Sequence, residues 1–200
     1  MPSDPSVNRR PATVHLLDDI HLSTVLPKLL LSYKRRSGIL VRMELNPYAK
    51  FLAGRDPIAI LKATYTELRR YADRLPKDQL TLSMPGTKWS AREIVAHLAD
   101  CELVFGFRLR QTLAEDNPIL QPFDQEKWAA RYANHDFDSA LRMFEATRNW
   151  NLLLINKATN AERQRGVTHP ERGTMTFWTI VETMAGHDLN HLQQIERLAT

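Results

Sequence analysis

Apolar residues recur at three-and-four spacing in four long stretches of the chain, and each stretch opens on a helix-start signal. The first begins at Asp56-Pro57, with proline at the first helical position, where no intrahelical N–H is needed. It carries Ile60, Leu61, Tyr65, Leu68, Ala72 and Leu75 before Pro76 stops it. Ser90 and Glu93 form a capping box for the second, which continues through Ile94, His97, Leu98, Cys101, Phe105 and Leu109 to about Ala114. Asp136 or Asp138 caps a third stretch with the stripe Leu141, Phe144, Thr147, Arg148, Asn151, Leu152 and Ile155, ending near Ala158. Its polar members read as lying on the edge of the stripe or facing an interior cavity. The fourth starts at Thr176 and places Phe177, Ile180, Val181, Met184, His187, His191, Ile195 and Leu198 on one face.

The connections carry breakers instead of periodicity. Met84-Pro85-Gly86 marks a polar link, and Pro118 and Pro122 interrupt the next one. Phe123 to Ala133 reads as a short helical turn that packs Trp128 and Tyr132 on the bundle. Glu162 to Met175, with Gly166, Pro170, Gly173 and several charges, reads as a loop of a length that often lines a site. With no convincing strand alternation and no internal repeat, the pattern predicts an all-α fold, an antiparallel four-helix bundle.

Composition supports one soluble domain: of 200 residues, 43% are hydrophobic and 25% charged. The net charge of +4 is uneven. Residues 1–42 hold Arg9, Arg10, Lys28, Lys34, Arg35, Arg36 and Arg42 against Asp4, Asp18 and Asp19, so the chain from Met43 onward is balanced and offers no basic footprint for nucleic acid. Residues 1–42, with Pro2, Pro5, Pro11 and Pro27, therefore read as a disordered extension or an upstream start, and residues 43–200 as the bundle domain. No apolar run reaches the roughly 18 residues a membrane span needs, and no secretory signal is legible. The single cysteine, Cys101, excludes an intramolecular disulfide framework and any CxxC motif, which makes a reducing cytoplasm the simplest compartment.

Three histidines change the picture. His97, His187 and His191 all occupy inward positions, where a buried imidazole must hydrogen-bond or bind a metal to offset lost hydration. His187 and His191 are one turn apart on one face and can reach a single ion, although HxxxH alone is common in helices. No glutamate lies inside the pair, which removes the HExxH protease mechanism, and no ExxH precedes any of the three, which disfavours a di-iron bundle. GxSxG and glycine-rich phosphate cradles are absent too.

The segment Lys88-Trp89-Ser90-Ala91-Arg92-Glu93-Ile94-Val95-Ala96-His97-Leu98-Ala99-Asp100 and the segment His187-Asp188-Leu189-Asn190-His191-Leu192-Gln193-Gln194 resemble the signature blocks of the DinB/YfiT-like superfamily. The resemblance covers about Met43 to Thr200. It implies an up-down-down-up four-helix bundle, commonly a homodimer, that holds a divalent ion such as zinc or nickel on His97, His187 and His191 with positions left open. Members of that superfamily include bacillithiol S-transferases, a mycothiol-dependent isomerase and bundles linked only to stress; the name does not imply the unrelated DNA polymerase.

Three neutral nitrogens leave an ion's charge almost unneutralised, so it would acidify a bound water or hold a low-molecular-weight thiol as thiolate. The reading is thus a metal-dependent thiol S-transferase or hydrolase acting on a small electrophilic substrate. The alternatives are a non-catalytic metal-binding stress-response or interaction module, and a core of hydrogen-bonded histidines without metal. Cys101, one turn after His97, reads as a small core residue or a fourth ligand. Asp100 and Asp188 read as acceptors that orient imidazoles or as surface charges. His169, near Arg165, Glu171 and Arg172, reads as facing the mouth of the site toward an anionic substrate, or as solvated. Trp89 and Trp178 read as anchors of helix ends or as pocket lining, and His15, His21 and His135 as surface residues.

Overall fold

The computed structural model describes residues 33–36, 39–42, 45–83 and 87–199. Strands β1 (Tyr33–Arg36) and β2 (Ile39–Arg42), at the end of the basic extension, pair antiparallel. The rest of that extension, with His15 and His21, lies outside the described residues, as do Met43 and Met84-Pro85-Gly86. Helices α1 (Ala49–Leu52), α2 (Pro57–Arg74), α3 (Ala91–Ala114), α4 (Gln125–Ala129), α5 (Phe137–Lys157), α6 (Asn160–Arg163) and α7 (Phe177–Leu198) follow, with strands β3 (Gly166–His169) and β4 (Gly173–Thr176) before α7.

The start signals act as the sequence predicts. Asp56 accepts from the Ile58 N–H with Pro57 at the first helical position, Ser90 and Glu93 close a reciprocal capping box, and Asp136, not Asp138, caps α5. Thr176 caps α7.

Helix direction can be followed through two apolar clusters at opposite ends of the bundle. One gathers Leu61, Phe105, Leu109, Ile155, Phe177 and Met184; the other gathers Leu68, Ile94, Leu98, Leu141, Phe144 and Ile195. Helix α2 runs from the first cluster to the second, α3 and α5 run from the second to the first, and α7 returns. That order is up-down-down-up. Since α2 packs on α7 and α3 on α5, the bundle contains two parallel pairs, and simple antiparallel alternation does not hold. The connection from α3 to α5 must therefore travel the length of the bundle. It does so through α4 and a single 3-10 turn at Tyr132–Asn134, which buries Tyr132 and leaves Trp128 39% exposed against Phe123, so only one of the two expected anchors is used.

The segment Glu162 to Met175 is not a loop. A capping box of Thr159 and Glu162 starts α6, and β3 pairs with β4 in a hairpin whose Val167 and Met175 enter the first apolar cluster. Strands of four residues are too short to show alternation over the glycines and charges that punctuate them. The Leu120 N–H donates to the Thr168 carbonyl, and the Thr168 N–H to that of Pro118, which fastens the long connection to this hairpin.

Between the two apolar clusters lies a polar layer to which every long helix contributes: Thr64 from α2, His97 and Glu102 from α3, Arg148 and Asn151 from α5, and His187, Asp188 and His191 from α7. All eight are buried.

Candidate metal centre

Helices α3 and α7 are antiparallel neighbours; His97 lies in the first third of α3, and His187 and His191 lie near the middle of α7. His97 Nε2 lies 3.0 Å from His187 Nε2, and His191 Nε2 lies 3.1 Å from the same atom. One ligand atom from each of the three falls within 4.8 Å of the others, and the residues are 1%, 2% and 4% exposed. Two of the other ring nitrogens are bonded outward. His191 Nδ1 lies 3.0 Å from Gln194 Oε1, and His97 Nδ1 lies 3.3 Å from the Tyr132 hydroxyl. Asp100, half-buried, interacts with that hydroxyl, and burial first and Asp100 second push the Tyr132 pKa up, keeping it protonated. With the Tyr132 proton directed to Asp100, its oxygen accepts from His97 Nδ1–H, as Gln194 accepts from His191 Nδ1–H.

Those bonds place the Nε2 lone pairs of His97 and His191 inward, where both meet His187 Nε2. A neutral imidazole nitrogen there offers one proton at most, so the three rings cannot satisfy one another by hydrogen bonding. A cation accepts all three lone pairs, and an all-imidazole donor set suits a first-row divalent ion. Burial holds His97 down at about 3, with His191 adding to the depression, and His191 at about 4, with Gln194 opposing. Burial and the neighbouring imidazoles likewise keep His187 well below its ordinary value. All three rings are neutral near pH 7, the form that ligates.

Aromatic rings wall the cluster. Trp89 lies 4.7 Å from His97 and 6.0 Å from His191, centroid to centroid, the latter nearly parallel; Tyr48 and Phe105 meet His187 edge-on. Trp89 thus lines the site, whereas Trp178 packs on the first apolar cluster and under Arg163. Tyr48 can come this close because Gly186 precedes His187: a Cβ there would stand 2.6 Å from the Tyr48 carbonyl oxygen.

Cys101 is buried with its Sγ 3.5 Å from His97 Nε2, yet it is outside the set of donor atoms that share the 4.8 Å radius. Burial pushes its thiol pKa up, so it stays protonated. Asp188 orients no imidazole and is not a surface charge. Its carboxylate takes Arg148 Nη1 at 2.7 Å, Arg148 Nη2 at 3.2 Å and the Thr64 hydroxyl at 2.7 Å. Arg148 also donates to Glu102 at 2.7 Å, and Asn151 donates to Glu102 at 3.0 Å. Burial opposes the charge on Arg148, but Asp188 and Glu102 outweigh it and hold its pKa above the usual value. Sequence reading left Arg148 and Asn151 on the edge of their stripe or facing an interior cavity, of which the structure shows the buried alternative, and it missed Thr64 and Glu102, whose single polar signals on apolar faces have no partner visible along the chain.

His169 is buried at the end of β3, where its Nδ1 accepts from the Glu171 N–H, so it is not a solvated loop residue. His135 is exposed. Beside His187 opens a narrow cavity of about 30 Å³, lined among others by Tyr48, Cys101, Phe105, Arg108, Arg172 and Thr183.

Residues 60–195 match the model of the DinB superfamily. The chain belongs to that superfamily. Among its relatives, OB0782 of Oceanobacillus iheyensis is 29% identical over 62% of this chain and 73% of its own, and YfiT of Bacillus subtilis is 24% identical over 71% and 82%. Both are named for metal-dependent hydrolase activity. The solved structure of YfiT, described as a probable metal-dependent hydrolase with an unusual four-helix bundle topology, superposes with a TM-score of 0.65 at 22% identity, over 84% of this chain and 95% of that one. That likeness establishes the fold.

Proposed function

We propose that this DinB superfamily member is a metal-dependent hydrolase that holds one divalent ion, zinc or nickel, on Nε2 of His97, His187 and His191. The observation that carries the reading is the convergence of three buried, neutral nitrogens with too few protons to satisfy one another. The names of the curated relatives support hydrolysis over other metal chemistry. When bound, the ion supplies Lewis acidity that lowers the pKa of a water, or of a low-molecular-weight thiol, toward neutrality. The protein's own part is positional. Tyr132 and Gln194 fix two imidazole tautomers, Trp89 and Tyr48 restrict solvent, and Arg148 holds Asp188 and Glu102 so that neither carboxylate is free to act as a base.

Elemental analysis of untagged protein beside His97→Ala, His187→Ala and His191→Ala tests the site. The expected result is about one ion per chain in the parent and a loss of bound metal in each variant, with ester hydrolysis falling at least about a hundredfold. Equal metal content in all four preparations overturns the assignment. Metal-loaded protein that leaves a panel of esters, amides and thiol–electrophile pairs unreacted, while metal removal unfolds it, identifies a non-catalytic metal-binding module instead.

A further inference from the structure

The cavity beside His187 has a charge pattern that the metal reading does not use. Arg108, on α3 and 8% exposed, and Arg172, in the turn between β3 and β4, both line it. Among the described residues neither guanidinium has a carboxylate within 4.0 Å, although four other arginines do: Arg69, Arg70 and Arg165 pair with one acidic neighbour each, and Arg148, within the polar layer, pairs with two. Arg108 donates to the Gln121 carbonyl at 3.0 Å and lies over the Phe123 ring. Those contacts orient it without neutralising it.

A buried cation without an anion is costly, and two facing one cavity add their repulsion. Burial lowers both guanidinium pKa values, and Arg172 lowers that of Arg108 further; at Arg172 the effect of burial is only partly offset by Tyr48 and the exposed Glu171. The same two charges help depress His169, to about 4, after burial, which places the hairpin turn and α3 around one electropositive pocket. His187, Cys101 and Thr183 line the same cavity.

We infer that Arg108 and Arg172 form an anion subsite, and that the substrate of the metal centre is a small molecule carrying a carboxylate or phosphate group held there while its reacting end faces His187. Planar guanidinium groups bind both headgroups through paired N–H donors, and a cavity this narrow admits a headgroup but not a bulky chain. The hairpin that the sequence disguised as a loop thereby has a purpose: it carries Arg172 to a pocket whose other cation comes from α3. The inference rests on the hydrolase reading for the reaction, but not for the binding.

Calorimetric titration of the full chain with butyrate, its neutral isostere butyramide and inorganic phosphate tests it, with zinc-loaded and metal-free protein in parallel. Butyrate or phosphate is expected to bind at least about tenfold more tightly than butyramide, and the tighter of the two anions names the headgroup. Arg108→Gln and Arg172→Gln are each expected to weaken that anion by about ten- to a hundredfold, with Arg172→Lys recovering part of the loss. Because Arg172 is only half-buried on a hairpin turn, Arg172→Gln decides the matter if Arg108→Gln unfolds by circular dichroism. Anion binding that is unchanged in Arg172→Gln, or that disappears only in His97→Ala, overturns the subsite, since the anion then sits on the ion. Arginine-dependent binding that persists in His97→Ala and in a parent devoid of metal upholds the subsite while the metal reading fails, so the two failures are separable.

Discussion

Tyr132 and Gln194 decide which nitrogen of two imidazoles faces the centre, and neither is on the stripe that carries the histidines. Gln194 is one turn beyond His191 and takes its Nδ1 proton; Tyr132 comes from the long connection and takes that of His97. Removing such an outward partner frees the ring to rotate or change tautomer, which costs about ten- to a hundredfold in metal affinity. Tyr132→Phe and Gln194→Ala are each expected to weaken zinc by that factor in competition with a chelating dye, with circular dichroism unchanged. Unaltered affinity in both would mean that packing against Trp89 alone holds the rings. Cys101→Ser, by contrast, is expected to retain the ion, because Sγ lies outside the ligand set.

At the level of elements, the α3–α5 contact depends on one glycine. A Cβ on Gly106 would stand 2.5 Å from Asn151 Oδ1, and Asn151 cannot retreat: that oxygen accepts from Arg110 at 2.8 Å while its amide donates to Glu102. Gly106→Ala should destabilise the protein by about 1–3 kcal/mol through overpacking, even though it improves helix propensity. Arg148 joins three helices, contacting Leu61 of α2, Glu102 of α3 and Asp188 of α7. Arg148→Met leaves two buried carboxylates without their cation and should cost about 3–5 kcal/mol in urea unfolding. A smaller loss than in Gly106→Ala would show that the polar layer is hydrated rather than sealed.

Across the whole molecule, three buried neutral imidazoles couple stability to pH. In the unfolded chain each titrates near 6.5, whereas in the fold burial and neighbouring imidazoles hold His97 at about 3, and burial holds His191 at about 4. Over that window the unfolded state binds protons that the native state refuses. Stability of metal-free protein is therefore full above about pH 6.5 and declines as pH falls toward 4, with a slope approaching about 1.4 kcal/mol per pH unit for each imidazole. Urea midpoints measured in the presence of a chelator between pH 8 and 4 should follow this curve, and His187→Leu should flatten it. A pH-independent midpoint would show that the rings are not buried neutral in solution.

Local signals determined a great deal of this protein. Asp56-Pro57, Ser90 with Glu93, and Thr176 start helices whatever they later pack against, because a cap acts within one turn, and the periodic stripe that follows sets which face turns inward. That is why His97, His187 and His191 could be singled out from spacing alone, with family resemblance naming them as a set. Distances between segments are not encoded in any window. The convergence of three nitrogens, the commitment of Asp188 to Arg148 and Thr64 instead of to an imidazole, the hairpin bearing Arg172 and the part played by Tyr132 all join residues tens of positions apart. Only the packing of four helices, two of them parallel neighbours reached by a full-length crossover, brought those side chains into one layer and decided what each could touch.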